Sequence, residues 1–465
     1  MDKRIKNILI LIFGIIFLIA GPLIIIYSQG YRFDFEAKKI VKTGGLYFKT
    51  QPTNCEIYLD GKINKKTDFL FGTAFIKDLL PKKYDIKIQK AGFFPWEKNL
   101  EVKEELVTEA RYIILFPQNP NFSVFLSGIE DYFFSLDEKK IILKKFDSKG
   151  WNLEVFNLEK NNSEFLVSEN NLSKKEVNLL DINWSFDSTK ILLKTEIQKE
   201  IKYFIVDISK KNGENLYPLD YLGNIEEVSF NPQGSNEIFF FKNSGKSPGL
   251  FKSNYQSKEI NKPILQNLLT YKISNENIFW LGKDGFLHKS DFSGKELEVS
   301  NSELFKIEEN SKYEIKILPN QMVLLKENNI LHYLNPSSKV FEKILEPVNS
   351  LNLSPDWKKI YFANDYEIWF WPPKDLLDQS QIKKEQISFL TRFSKKIENI
   401  FWLNSDYLIF NTGNKIKIAE TDNRDNINIV ELKELENPKI FWGQTFKKLY
   451  ILSNKNLYIA ENLLP

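Results

Sequence analysis

The chain has 465 residues, too many for one ordinary hydrophobic core, so two or three domains are expected. Its 64 basic and 61 acidic residues are spread along the chain for a net charge of +3, which excludes the clustered basic face that nucleic-acid binding needs. A single cysteine, Cys55, excludes an intramolecular disulfide and a cysteine-based zinc site, and His288 and His332 are the only histidines.

The amino terminus carries twenty residues without a charge, Ile8 to Tyr27, directly after Lys3, Arg4 and Lys6. Roughly twenty apolar residues cross a bilayer core of about 30 Å. The run is longer than the apolar stretch of a signal peptide, and its end (Ile26-Tyr27-Ser28-Gln29-Gly30) has no Ala-x-Ala cleavage pattern. Residues 1–30 are therefore expected to form a cytoplasmic stub and an uncleaved transmembrane anchor. Arg32, Lys38, Lys39 and Lys42 flank the other side, but the amino-terminal charges abut the apolar run. That proximity places the amino terminus in the cytoplasm and the bulk of the chain outside it.

From residue 44 to 117 the pattern is that of short strands. Leu46, Phe48 and Thr50 alternate with Tyr47, Lys49 and Gln51, and Glu56-Ile57-Tyr58-Leu59 runs into the hairpin signal Asp60-Gly61. Thr73 to Ile76, Tyr84 to Ile88, Leu100 to Val102 and Ala110 to Phe116 supply further strands, for a compact β-sandwich-like module. Pro52, Leu59-Asp60-Gly61, Thr67, Leu80-Pro81, Tyr84 to Ile88 and Ala91 to Trp96 give this stretch its likeness: it resembles the PEGA domain of cell-surface and membrane-anchored proteins. The Pro-Glu-Gly-Ala signature itself is replaced by Pro52-Thr53-Asn54-Cys55. Cys55 then stands where that family has a small alanine, which implies a buried, inert thiol. The resemblance implies an interaction or spacer module, not a catalyst.

Beyond residue 121 a unit recurs, in FSLDEKKI (Phe134 to Ile141), WSFDSTKI (Trp184 to Ile191), LSPDWKKI (Leu353 to Ile360) and WGQTFKKL (Trp442 to Leu449). Each reads as two strand ends joined by a turn. The turn anchors Ser135, Ser185, Asn231, Ser274, Pro319, Ser354, Asn404 and Gly443 have a mean spacing of 44 residues, the period of a β-propeller blade. Asp137, Asp187 and Asp356 are suited to accept backbone N–H groups in an Asx turn. The pattern resembles the Phe-Ser-Pro-Asp-Gly-Lys repeat of TolB-type propellers. The glycine of that repeat is replaced by Glu138, Ser188 and Trp357, so a glycine-dependent geometry is not expected at all of these turns. Residues 121–465 are thus expected to form a propeller of eight blades, or seven if one degenerate anchor is false. Phe122 to Leu126 would supply the outer strand that the last unit lacks and close the ring.

No catalytic constellation stands out. Ser244-Gly245-Lys246-Ser247 lacks the upstream glycine of a phosphate loop, where Phe240 stands, and reads as a hairpin loop. No nucleophile elbow is present. The two histidines lie 44 residues apart in matching strand-like runs and read as blade-face residues. The Asn-x-Ser sequons at Asn121, Asn161, Asn171, Asn183 and Asn352 are chance-level in so Asn-rich a chain. Trp369-Phe370-Trp371-Pro372-Pro373 reads as blade packing, and Lys374 to Glu385 as a partner-facing loop. The whole is expected to be a mainly β, monomeric, single-pass membrane protein without cofactor, metal or catalytic residues. It would present two binding modules outside the cytoplasm to a protein or polysaccharide of the cell envelope. The alternatives are a propeller glycosidase or lyase acting on a surface polysaccharide, and a periplasmic TolB-like assembly factor.

Overall fold

The computed structural model describes residues 3–210, 214–234, 236–243, 248–372 and 386–464. Lys3–Ser28 is one helix that continues through Pro22. From Ile5 to Ser28 it is long and apolar enough to cross a membrane, and the rest of the chain leaves it uncovered. A two-stranded hairpin, Tyr31–Asp34 with Lys39–Lys42, follows at once.

Residues 44–114 fold into two sheets face to face. One runs Thr73–Leu79, Gly44–Gln51, Val107–Ile114, and the other Lys62–Lys66, Glu56–Leu59, Lys83–Gln89, Trp96–Glu101. The alternation in these strands turns Leu46 and Phe48 of the first sheet and Ile57, Ile86, Ile88 and Leu100 of the second into one core. Asp60 and Gly61 both take positive φ, 47° and 74°, as the two-residue hairpin requires. Cys55 is buried, its thiol donates to Pro52 O at 3.1 Å, and burial pushes its pKa up. Such a thiol is unreactive at neutral pH.

Among the described residues, 122–460 form eight antiparallel sheets in succession. Each has four strands, and the third gains a two-residue strand at Leu265–Gln266. In the first seven the strands pair in chain order. The eighth takes Lys439–Gly443, Lys448–Ser453 and Asn456–Ala460 from the end of the chain and Phe122–Ser127 from before the first sheet. One hydrophobic cluster fills each gap between neighbours. Leu153 meets Ile191 between the first and second sheets, and Ile205 meets Phe240 between the second and third. Phe239 with Ile278, Leu281 with Leu325 and Leu331 with Phe362 carry the series to the sixth sheet. Phe370 with Phe410 and Ile409 with Leu449 complete it to the eighth. Leu457 of the eighth sheet then packs with Ile141 of the first. A series of sheets whose last member shares a core with its first is a closed ring, and this ring is a β-propeller.

The second and third strands of most sheets are apolar on both faces, as in Ile141-Ile142-Leu143 and Tyr407–Thr412, because each sheet lies between two others. The first strands converge on the axis, where Leu268–Ile273 lies against Tyr313–Ile317 and Ile397–Trp402 against Lys439–Gly443. Outer strands such as Glu296–Val299 face water throughout.

Every turn anchor falls at or within two residues of the end of a first strand. Ser135, Ser185 and Ser354 each donate to the aspartate two positions on, at 2.6 Å, and accept from a backbone N–H five positions on, at 2.9 Å. Asp137, Asp187 and Asp356 accept the next-but-one N–H at 3.1–3.2 Å. The missing glycine does not change the geometry, contrary to the expectation above. Glu138, Ser188 and Trp357 take φ of 58°, 53° and 61°, the left-handed conformation a glycine would have taken. The serine–aspartate network over-determines the turn, so an ordinary side chain is held where glycine would sit freely.

Candidate interaction surfaces

The amino-terminal module is joined to the seventh sheet by a polar contact with a buried centre. Its edge strand Trp96–Glu101 lies along residues 420–428, which cap the strand's free backbone groups. Glu97 N donates to Asn428 Oδ1 at 3.1 Å, Asn428 Nδ2 returns a bond to Glu97 O at 3.0 Å, and Asn99 N donates to Asp425 Oδ2 at 2.9 Å. At the centre, Lys98 Nζ lies 2.7 Å from Glu420 Oε1, with side-chain exposures of 0% and 4%. Trp96 Nε1 donates to the other carboxylate oxygen at 2.8 Å, and Lys98 also donates to Asp422 O at 2.7 Å. Burial raises the Glu420 pKa, and the Lys98 charge opposes that rise. Arg424 donates to Glu109 O at 2.8 Å, and Phe116 inserts into the core shared by the seventh and eighth sheets, edge-on to Tyr407. The module's Trp96–Glu101 edge is thereby covered.

The module also carries an exposed apolar turn. Phe69, Leu70 and Phe71 are 76%, 70% and 71% exposed, which is unusual for three consecutive large apolar residues. Asp68 braces the turn from inside. Its Oδ1 accepts from Leu70 N at 3.0 Å and Phe71 N at 2.6 Å, and its Oδ2 accepts from Thr73 N at 2.6 Å and from the Thr73 hydroxyl. These bonds hold the Asp68 pKa down to about 2. Sequence reading passed over this segment. Its signal was there: three apolar residues between an aspartate and Gly72, where a turn ought to be polar.

Near the axis, exposed Glu227 on the third sheet's first strand lies within electrostatic reach of Tyr271 and Lys272 of the fourth sheet and Glu314 of the fifth. The surrounding protein raises its pKa, Glu314 and Glu226 add to the rise, and Lys272 and Lys194 oppose it. Tyr203, whose pKa is pushed up to about 12 by burial, is spent on donating to Glu226 O at 2.7 Å.

The two histidines sit on the third strands of adjacent sheets. His288 stacks on Trp280 at 3.9 Å and bonds Glu296 through Nδ1 at 3.0 Å. His332 lies edge-on to Phe305, with Glu327 at 3.6 Å, and burial lowers its pKa. Phe370 and Trp371 are buried, and Trp371 meets Tyr333 edge-on at 5.0 Å, so that run is packing. Pro373, Lys374 to Glu385 and Ser244 to Ser247 lie outside the described residues.

No protein-family model matches the chain, and no curated protein does. Among solved structures it is similar to the Dos1 propeller, with 12% identity over 73% of this chain and 95% of that one at a TM-score of 0.45. It is also similar to the β-propeller domain of Cps50 (Swd1) from Myceliophteria thermophila, with 12% identity over 74% and 99% at 0.40. Hsv2 from Kluyveromyces lactis gives 13% identity over 67% and 100% at 0.41. The propeller assignment rests on the closed ring of sheets and cores, not on these likenesses.

Proposed function

We propose that this chain is a single-pass membrane protein that presents a rigid two-part binding scaffold outside the cytoplasm. The anchor is the helix through Ser28, residues 44–117 are a PEGA-like module, and residues 121–465 are an eight-bladed TolB-like propeller. The scaffold works as a monomer and contacts proteins or polysaccharides of the envelope. The braced turn Phe69-Leu70-Phe71 is the observation that carries this reading. Three large apolar side chains in water are costly unless something covers them, and the Asp68 network keeps them from collapsing onto the module. Preorganisation of that kind is what a contact surface needs. Proximity labelling in cells compares the native chain with a Phe69→Ser/Leu70→Ser/Phe71→Ser variant. A set of neighbours present for the native chain and lost for the variant supports the scaffold, and an unchanged set removes the turn from it.

Glu227 favours a second reading. An exposed carboxylate next to Glu226, within electrostatic reach of Glu314 and Tyr271 near a propeller axis, is the kind of cluster from which a glycosidase or lyase would draw its acid. Glu227→Gln in a purified protein assayed on envelope polysaccharides tests it. A hydrolytic or eliminative activity that vanishes with the substitution would replace the scaffold reading.

A further inference from the structure

The hairpin that follows the helix has one face turned to the module and one turned away. Its register pairs Arg32 with Val41 and Phe33 with Ile40. Val41 is buried, and Arg32 reaches back to the module at Asp78, 3.1 Å away. The other face shows Phe33 and Ile40, 48% and 59% exposed, with Phe35 at the tip 82% exposed. Phe33 and Phe35 touch edge-on at 5.0 Å, so the apolar face is continuous. Asp34 Oδ1 shapes the tip by accepting from Glu36 N and Ala37 N, both at 2.9 Å, and Lys38 and Lys39 follow directly.

The hairpin is also locked to the helix. The Arg32 guanidinium lies 3.4 Å over the Tyr27 ring and donates to Tyr27 O at 2.7 Å and Tyr31 O at 2.9 Å. Only Gln29 and Gly30 separate helix from hairpin. At no more than about 3.6 Å per residue, Tyr31 begins within about 11 Å of the helix end. The headgroup layer on each side of a bilayer is about 5–7 Å thick. A hairpin tied to Tyr27 at this distance starts in or just above that layer.

We infer that residues 31–42 form an interfacial foot. Phe33, Phe35 and Ile40 sink into the headgroup–acyl boundary of the membrane that holds the helix, and Lys38 and Lys39 meet anionic headgroups. Aromatic residues with adjacent lysines are the side chains that favour this depth. The foot rests on the anchor proposed above. It adds a second attachment point, so the module stands at a fixed attitude on the membrane instead of swivelling on a single helix.

Site-directed spin labelling of the full chain in phosphatidylcholine vesicles, with and without phosphatidylglycerol, tests this inference. Labels go on Ile16→Cys, Ala37→Cys and Phe69→Cys, with buried Cys55 left in place. The foot predicts that the Ala37 label collides several-fold less with an aqueous nickel complex than the Phe69 label, and more with oxygen. The protection should be lost on adding Phe33→Ser, Phe35→Ser and Ile40→Ser. If the Ile16 label lies in the hydrocarbon while the Ala37 label is as accessible to nickel as the Phe69 label, the foot is wrong and the anchor stands. An Ala37 label shielded from both relaxants means that protein, not lipid, covers the face, and also overturns the foot. If the Ile16 label is itself aqueous, the anchor fails and the foot with it.

Discussion

Lys98 has no exposed side-chain surface; its ammonium is matched by Glu420 and the Asp422 carbonyl, and the neighbouring Trp96 indole donates to the same carboxylate. Removing one partner of such a pair leaves the other charge buried and costs about 3–5 kcal/mol. Lys98→Met should therefore lower stability in denaturant titrations by that order, and Lys98→Met with Glu420→Gln, which removes the charge and keeps an oxygen for the Trp96 indole, should recover most of it. The single variant should also suffer less at acidic pH, where Glu420, already raised by burial, takes up a proton and stops being an unpaired charge. Equal losses in the single and double variants would mean that the pair contributes nothing specific. At Asp68 the sign is the reverse. Its folded pKa of about 2 lies below the ordinary 3.8, so its support for the turn is complete above 3.8 and is lost as pH falls through 2. Amide resonances of Leu70, Phe71 and Thr73 should shift together over that window, and Asp68→Asn should produce the same shift at neutral pH.

At the scale of elements, the strand–turn–strand unit was legible because its chemistry is local. A serine, an aspartate two residues on and a lysine before an aliphatic residue lie within eight positions, and those positions set the hydrogen bonds. The same local logic placed the Asp60-Gly61 hairpin, and the strand missing from the last unit pointed to Phe122 to Leu126. The requirement for glycine was misjudged, because residue type alone does not reveal that the Ser–Asp network holds the position after the aspartate in the strained left-handed region. Trp357→Gly should relieve that strain and raise stability by about 0.5–1 kcal/mol, read as a higher urea midpoint with an unchanged m-value. A fall would show that the exposed indole makes a contact worth more than the strain. The junction was not legible at all: Trp96 and Glu420 are 324 residues apart, and nothing in either neighbourhood names the other. The hairpin at 31–42 escaped notice for a different reason, since strands of four residues give too short an alternation to recognise.

For the whole molecule, the ring is the unit of cooperativity. Each sheet supplies half of two cores, so removing one sheet strands its neighbours' apolar faces in water. Deleting residues 441–465 takes most of the eighth sheet and exposes Ile141 and Leu143 of the first sheet and Ile409 of the seventh together. A 118–465 fragment should be soluble without detergent and melt in one transition, and its 118–440 counterpart should lose the β-type circular dichroism transition altogether. A truncated fragment melting like the longer one would argue against a closed ring. The scaffold reading makes a larger claim, that this rigid body stands on the far side of a membrane from the amino terminus. Because Cys55 is buried, an added cysteine reports its own sidedness. A membrane-impermeant maleimide applied to intact cells, or to spheroplasts where a wall shields the surface, should label Lys306→Cys at once and Lys3→Cys only after permeabilisation. Labelling of Lys3→Cys on intact cells with Lys306→Cys protected would put the scaffold in the cytoplasm and contradict the proposed function.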